Sequence, residues 1–219
     1  FEDSIGWMDF EEELRRAVNR ILASDAPKKL IVAGPGTGKT TLFRKLLEQA
    51  RPGDRNNLVL TFINNLKDEL HEKLSDIAQV FTFHGFCHFL LRRDPYLRTG
   101  LSDEFLYFPS LASLIKTDWE LLHGGEAPRF VGDMRALVEG PHIEFYIKRS
   151  DYYNAVEFDD SVFRVYKRLA EDPSRVPRYE LVVVDEFQDF NALEASLIDL
   201  LARHSPIVIV GDDDQALYS

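Results

Sequence analysis

Five short apolar runs restrict what this chain can fold into. KKLIVA, LVLTF (Leu58 to Phe62), QVFTF (Gln79 to Phe83), LVVVDE (Leu181 to Glu186) and PIVIVGD (Pro206 to Asp212) are short for helices and too continuously apolar for strands with one wet face. Helical periods separate them. NLKDELHEKL sets Leu66, Leu70 and Leu74 on one helix face, and ALEASLIDLLARH reads as a second helix. Strands buried on both faces and alternating with helices predict an α/β fold with a parallel sheet covered by helices.

Between about Arg92 and Pro177 the texture changes to helical, aromatic-rich segments broken by Pro and Gly. We read 92–177 as an inserted, mainly α-helical subdomain that divides the sheet domain into 1–91 and 178–219. Within it IEFYIKRSDYY interleaves Phe145, Tyr146, Tyr152 and Tyr153 with Lys148 and Arg149. That composition fits either a helical core or a surface that stacks bases and contacts phosphates.

The stretch AGPGTGKT, Ala33 to Thr40, turns directly out of the first apolar run into TTLFRKLLEQA. Gly34, Gly36 and Gly38 let a backbone wrap closely around an anion, and the helix that follows presents free N–H groups and its positive dipole end there. Phosphate is the fitting ligand. Lys39 supplies a charge for the β and γ phosphates, and the Thr40 hydroxyl suits Mg²⁺. A phosphate cradle also needs a carboxylate for the metal and a group that acts on the attacking water. VVVDEFQD offers both: Asp185 at a strand end for Mg²⁺, and Glu186 beside it to orient or deprotonate water. In IVGDDDQALYS, Gln215 sits where an amide senses a γ-phosphate, and with Gln188 it suggests that nucleotide state is reported elsewhere in the molecule.

Charge and cysteine content bound the partners. Lys and Arg total 26 against 37 Asp and Glu, a net charge of −11, which argues against a surface that clamps nucleic acid everywhere but allows a narrow track. No apolar run approaches the roughly 18 residues of a membrane span, so no membrane partner is expected. The acidic start FEDSIGWMDFEEELRR lacks a secretory signal's basic start, and the lone Cys87 fits a reducing, cytoplasmic setting. His84, Cys87 and His88 lack the second pair of ligands that a zinc site needs. Starting at Phe1 and stopping at Ser219 just past a motif, the chain reads as a fragment.

The set AGPGTGKTT, TFINNLKDEL, TFHGFCHFLLR, VVVDEFQDF and IVGDDDQALYS, in that order, resembles the first motor domain of UvrD/Rep-type superfamily 1 DNA helicases. The resemblance implies a RecA-like P-loop NTPase fold with a helical insertion. It implies ATP and Mg²⁺ as cofactors, single-stranded DNA as partner, 3′ to 5′ movement and a second RecA-like domain that completes the site. Gly34, Pro35, Gly36, Thr37, Gly38, Lys39, Thr40, Thr41, Asp185, Gln188 and Gln215 then belong to the nucleotide, Thr40 and Asp185 to the metal, and Glu186, Lys39 and Gln215 to catalysis. Phe62 and Asn64 match positions that touch the strand, Thr82 and His84 match phosphate contacts, and Tyr218 resembles an aromatic on which a base stacks.

The chain departs from the family pattern at two places. Leu14 falls where members carry a Gln that reads adenine, and Asn65 replaces a common Lys near the strand. Other readings of the residues remain: Phe62 and Phe83 suit a core as well as a strand contact, and RNA is not distinguished from DNA. The motor of a nuclease or phage-defence machine, and an ATP-gated clamp that does not translocate, fit the same motifs. Without arginines from a second domain the fragment is expected to turn over little nucleotide.

Overall fold

In the computed structural model the described residues are 2–34, 37–50, 56–187 and 190–211, without the side chains of 2–11, 64 and 65. The elements run α1 (Glu2–Ala23), β1 (Lys28–Val32), α2 (Lys39–Ala50), β2 (Asn57–Thr61), α3 (Asn64–Leu74), β3 (Gln79–Thr82) and α4 (Phe83–Arg93). They continue with β4 (Leu106–Tyr107), α5 (Leu111–His123), α6 (Phe130–Arg135), α7 (Pro141–Tyr153), β5 (Ala155–Val156) and α8 (Phe158–Glu171). A 3₁₀ turn at Pro173–Arg175 leads to β6 (Leu181–Val184), α9 (Ala192–Ala202) and β7 (Ile207–Gly211). Two compact units result: Phe1–Phe81 with Arg178–Gln188 and Ser205–Ser219, and Thr82–Pro177 with Asp189–His204.

The first unit is built on a five-stranded sheet in the order β1-β7-β6-β2-β3. The expected α/β architecture is present: β1 runs parallel to β7, β7 to β6 and β6 to β2, in registers such as Val32↔Gly211, Val184↔Ile209 and Leu60↔Val184. β2 and β6 read as unbroken apolar runs because every one of their residues is buried. On one face of the sheet α2 contributes Phe43, Leu46 and Leu47, and α3 contributes Leu70 and Leu74, to a core with Val59, Val183, Val208 and Val210. Leu66 packs against the same core, so the predicted apolar face of α3 is the buried one. Burying Phe43 and Leu47 completely stabilises the unit by about 1.5–3 kcal/mol each. Asn57 stitches this layer by donating to the carbonyls of Leu47 and Ile77. The sheet edge differs: on β1, Leu30 and Val32 are 63% and 57% exposed.

The second unit is helical around an aromatic core. Trp119 of α5, Phe130 of α6 and Phe145 and Tyr146 of α7 form a chain of edge-on and tilted rings, with Tyr146 fully buried. Phe145 and Tyr146 therefore serve the core, whereas Tyr152 is 73% exposed beneath the Arg149 guanidinium. A two-stranded parallel pair, β4 with β5, ties Leu106 to Ala155 and Tyr107 to Val156, where the sequence suggested no strand. Two residues per strand are too few to show a period. Beneath α7 the acid Asp160 and Arg164 are both buried, with Ser150 donating to Asp160 at 2.9 Å.

Candidate functional site

All C-terminal ends of a parallel sheet's strands lie on one edge, and ligands of such sheets bind there. β1 and β6 deliver their loops to that edge with β7 between them. Ala33 extends the β1 ladder by donating to Gly211 at 3.0 Å, and the chain then turns: Thr37 donates through its hydroxyl to the Gly34 carbonyl at 2.8 Å. Gly38 has φ of +79°, a left-handed conformation that favours glycine, and its carbonyl accepts from Leu42 N as α2 starts. Pro35 and Gly36 lie outside the described residues.

From the other side, Asp185 N donates to Leu60 O at 2.9 Å, prolonging the β6–β2 ladder by one residue. The chain then bends at Glu186, whose φ of +58° is rare for a residue with a side chain and costs roughly 1–3 kcal/mol. That bend lets Glu186 N donate to Asp185 Oδ1 at 3.1 Å and brings the Glu186 carboxylate to the phosphate turn. Lys39 Nζ stands 3.4 Å from Glu186 Oε1, with the two side chains only 16% and 15% exposed. The structure thus gathers Gly34, Thr37, Gly38, Lys39, Asp185 and Glu186 in one unit. Thr40 and Thr41 fall in the first turn of α2, Thr40 half-buried and Thr41 exposed. Asp185 is 2% exposed, and burial, reinforced by the Glu186 charge and opposed by Lys39, pushes its carboxyl up to about 6.

The donor chemistry suits Mg²⁺. A buried carboxylate and a hydroxyl are hard oxygen ligands, and this ion is held by one or two protein oxygens together with substrate phosphates. Among the described residues no cluster of three His, Cys, Asp or Glu exists that would make an all-protein cage. Beside the turn, a cavity of about 810 Å³ is lined by Glu13, Leu14, Arg16, Ala17, Asn19, Arg20 and Thr37. Leu14, expected at the adenine-reading position, is thus part of its wall.

The residues expected to meet a strand are divided between the units. Phe62, half-buried, follows β2, and Asn64 opens α3 with its side chain outside the description. Thr82 caps α4: its Oγ1 accepts from Gly85 N at 3.1 Å. A Cβ on Gly85 would meet that oxygen at 2.8 Å, which explains the glycine in TFHGF. Phe83 is fully buried and belongs to the core. Gln188, Gln215 and Tyr218 lie outside the described residues.

His84 has surroundings that the motif did not announce. Its Nε2 lies 3.8 Å from Oε1 of Glu194 on α9. Its ring meets Phe158 edge-on at 4.7 Å, and Phe158 packs on Tyr107 at 5.0 Å. These two rings are 46% and 39% exposed. Asp159 next along α8 takes a two-pronged ion pair from Arg135, at 2.7 and 3.1 Å. Burial lowers the His84 pKa, the Asp159 charge opposing it and Arg135 adding to it. Glu194, Phe158 and Tyr107 escaped the sequence reading because they reach His84 from distant elements.

Comparison with known proteins agrees with this geometry. Residues 15–219 match the model of a family described as an AAA domain. The chain belongs to that family. It is 28% identical over 247 aligned residues to a probable DNA helicase II homolog of Mycoplasma capricolum, covering 91% of this chain and 34% of that protein. It is 27% identical over 248 residues to the ATP-dependent DNA helicase UvrD1 of Mycobacterium leprae, covering 87% of this chain and 32% of that one. ATP-dependent DNA helicase PcrA of Staphylococcus aureus is 25% identical over 231 residues, at 86% and 32%. The chain therefore spans about a third of the length of these relatives. Its core, a parallel sheet with an inserted helical subdomain, is RecA-like and resembles the P-loop core of UvrD/PcrA-type helicases.

Proposed function

We propose that this chain is the nucleotide-binding motor domain of an ATP-dependent DNA helicase or translocase that moves 3′ to 5′ on single-stranded DNA in the cytoplasm. The observation that carries the reading is the meeting of Lys39, Asp185 and Glu186 at the C-terminal edge of the sheet. Lys39 and the N-terminus of α2 take the phosphates. Thr40 and Asp185 hold Mg²⁺, which when bound neutralises charge developing on the transferred phosphoryl group. Glu186 orients the attacking water and accepts its proton. Gln188 and Gln215 report nucleotide state, and a second RecA-like domain of the same polypeptide closes the site and supplies arginines. On the nucleic-acid side, Phe62, Asn64 and Tyr218 contact the strand. Thr82 and His84 take its phosphates at the N-terminus of α4, where the Thr82 hydroxyl keeps its proton to donate. Phe158 and Tyr107 add exposed ring faces beside His84, a sequence-tolerant surface for bases.

The test is steady-state ATP hydrolysis by the full-length protein with and without single-stranded DNA, beside Lys39→Ala. Strong stimulation that the substitution abolishes is the expected result. Absence of stimulation in a folded, nucleotide-bound protein would sink the motor reading.

A further inference from the structure

His84 is placed between two kinds of anion, one inside the protein and one that the reading above brings from outside. The inside anion is Glu194, itself only 5% exposed, with Oε1 3.8 Å from His84 Nε2. Its other oxygen, Oε2, is committed to the cap of α9, accepting from Asn191 N at 3.0 Å. Two further charged groups act on the ring, Asp159 of α8 and Arg135 of α6, and they are paired with each other. Glu194 is thus the carboxylate at ion-pair distance from the imidazole, while the Asp159 charge favours the cation, Arg135 opposes it, and burial raises the carboxyl of Glu194 itself.

A neutral imidazole has one N–H and serves one acceptor, whereas the imidazolium has two. Glu194 Oε1 stands 3.8 Å from the ring, at ion-pair rather than hydrogen-bond distance, so a phosphate arriving beside it favours the cation, which answers both anions at once. Burial of the ring disfavours that cation. A phosphate arriving against the ring adds a second negative charge, and an opposite charge at about 4–6 Å moves a titrating group by about 1–3 pKa units towards its charged form.

We propose that strand binding at His84 takes up one proton from solvent, and that Glu194 is the positioning residue that serves as internal counter-ion for the resulting imidazolium. The inference rests on the strand-binding reading of the α4 N-terminus and specifies how that site is regulated: grip strengthens as pH falls. The sign follows from linkage. The bound state holds the extra proton, so affinity is greatest below the free His84 pKa and falls, by up to about tenfold per pH unit, as pH rises towards the bound one.

The experiment is titration calorimetry of the full-length protein with an oligothymidylate, in two buffers of different ionisation enthalpy at one pH and one salt concentration. Fluorescence anisotropy across about pH 6 to about pH 8.5 follows the affinity. For the wild type, uptake approaching one proton per strand site is expected. Glu194→Gln keeps an amide oxygen for the α9 cap, so it tests the charge alone: uptake and the pH dependence should both shrink several-fold. His84→Gln should remove them. Binding with no proton uptake by the wild type overturns the inference, and that measurement needs no variant. Uptake unchanged in Glu194→Gln overturns it as well. Failure of the wild type to bind the oligonucleotide at any pH would instead defeat the strand-binding reading beneath it.

Discussion

Asp185 and Glu186 are neighbours in sequence that the backbone sends in different directions: Glu186 N donates to Asp185 Oδ1 at 3.1 Å, and the left-handed bend at Glu186 carries its own carboxylate to Lys39. Two adjacent acids thereby acquire separate tasks, one buried beside the sheet and one facing the phosphate turn. Glu186→Gln should leave nucleotide affinity within a few-fold and lower single-turnover hydrolysis by about 10²–10⁴, the usual contribution of a general base. Fluorescent-nucleotide binding and rapid-quench hydrolysis on the same preparation separate the two quantities, and equal losses in both would show that Glu186 acts in binding.

Gly38→Ala tests the turn itself. At φ of +79° a methyl group finds open space but an unfavourable backbone. The expected cost is about 1–2 kcal/mol of stability, read by urea denaturation, together with weakened nucleotide binding. A variant as stable as wild type would show that the turn relaxes freely.

A pH-dependent term belongs to Asp160. Burial outweighs the nearby Arg164 guanidinium and pushes its carboxyl up to about 6 from the ordinary 3.8. The folded protein holds this proton more tightly than the unfolded chain, so the contribution is complete below about 3.8 and is lost as pH rises through about 6. The stability difference between wild type and Asp160→Asn should therefore narrow by up to about 3 kcal/mol from pH 4 to pH 7. Denaturation curves at several pH values give the difference directly, and a gap constant across that range would contradict the assignment.

Base selectivity should be poor. The cavity beside the phosphate turn is walled by Leu14 and Ala17, with Glu13, Arg16, Asn19 and Arg20 around it; Leu14 offers no amide pair to a base edge, and the four polar side chains are exposed, so water satisfies them whichever base enters. kcat/KM for GTP is expected within about tenfold of that for ATP, since rejecting an analogue strongly requires buried polar groups that it leaves unpaired. A preference for ATP above about a thousandfold would place the base against other groups.

The centre of the sheet was legible because β2 and β6 are buried along their whole length and leave nearly unbroken apolar runs, whereas the edge strand β1 was legible as a strand but not as an exposed one. The phosphate turn was legible because Gly38, Lys39 and Thr40 must be local to work. What stayed hidden is non-local. In α8, Asp159, Asp160 and Arg164 carry no local mark of burial, yet they are buried because Arg135, Ser150 and Asp151 arrive from other helices. Glu194 looked like an ordinary first-turn acid. Only the packing of α4 and α9 in one unit turns it towards His84.

The 3.4 Å contact of Lys39 with Glu186 has a consequence for the idle protein. On the proposed reading, the ammonium that is to meet the phosphates also pairs with the base that is to act on water, so the two groups hold each other in check. Phosphates entering the turn compete for the lysine and release the glutamate. On that reading the nucleotide itself frees the base that acts on it.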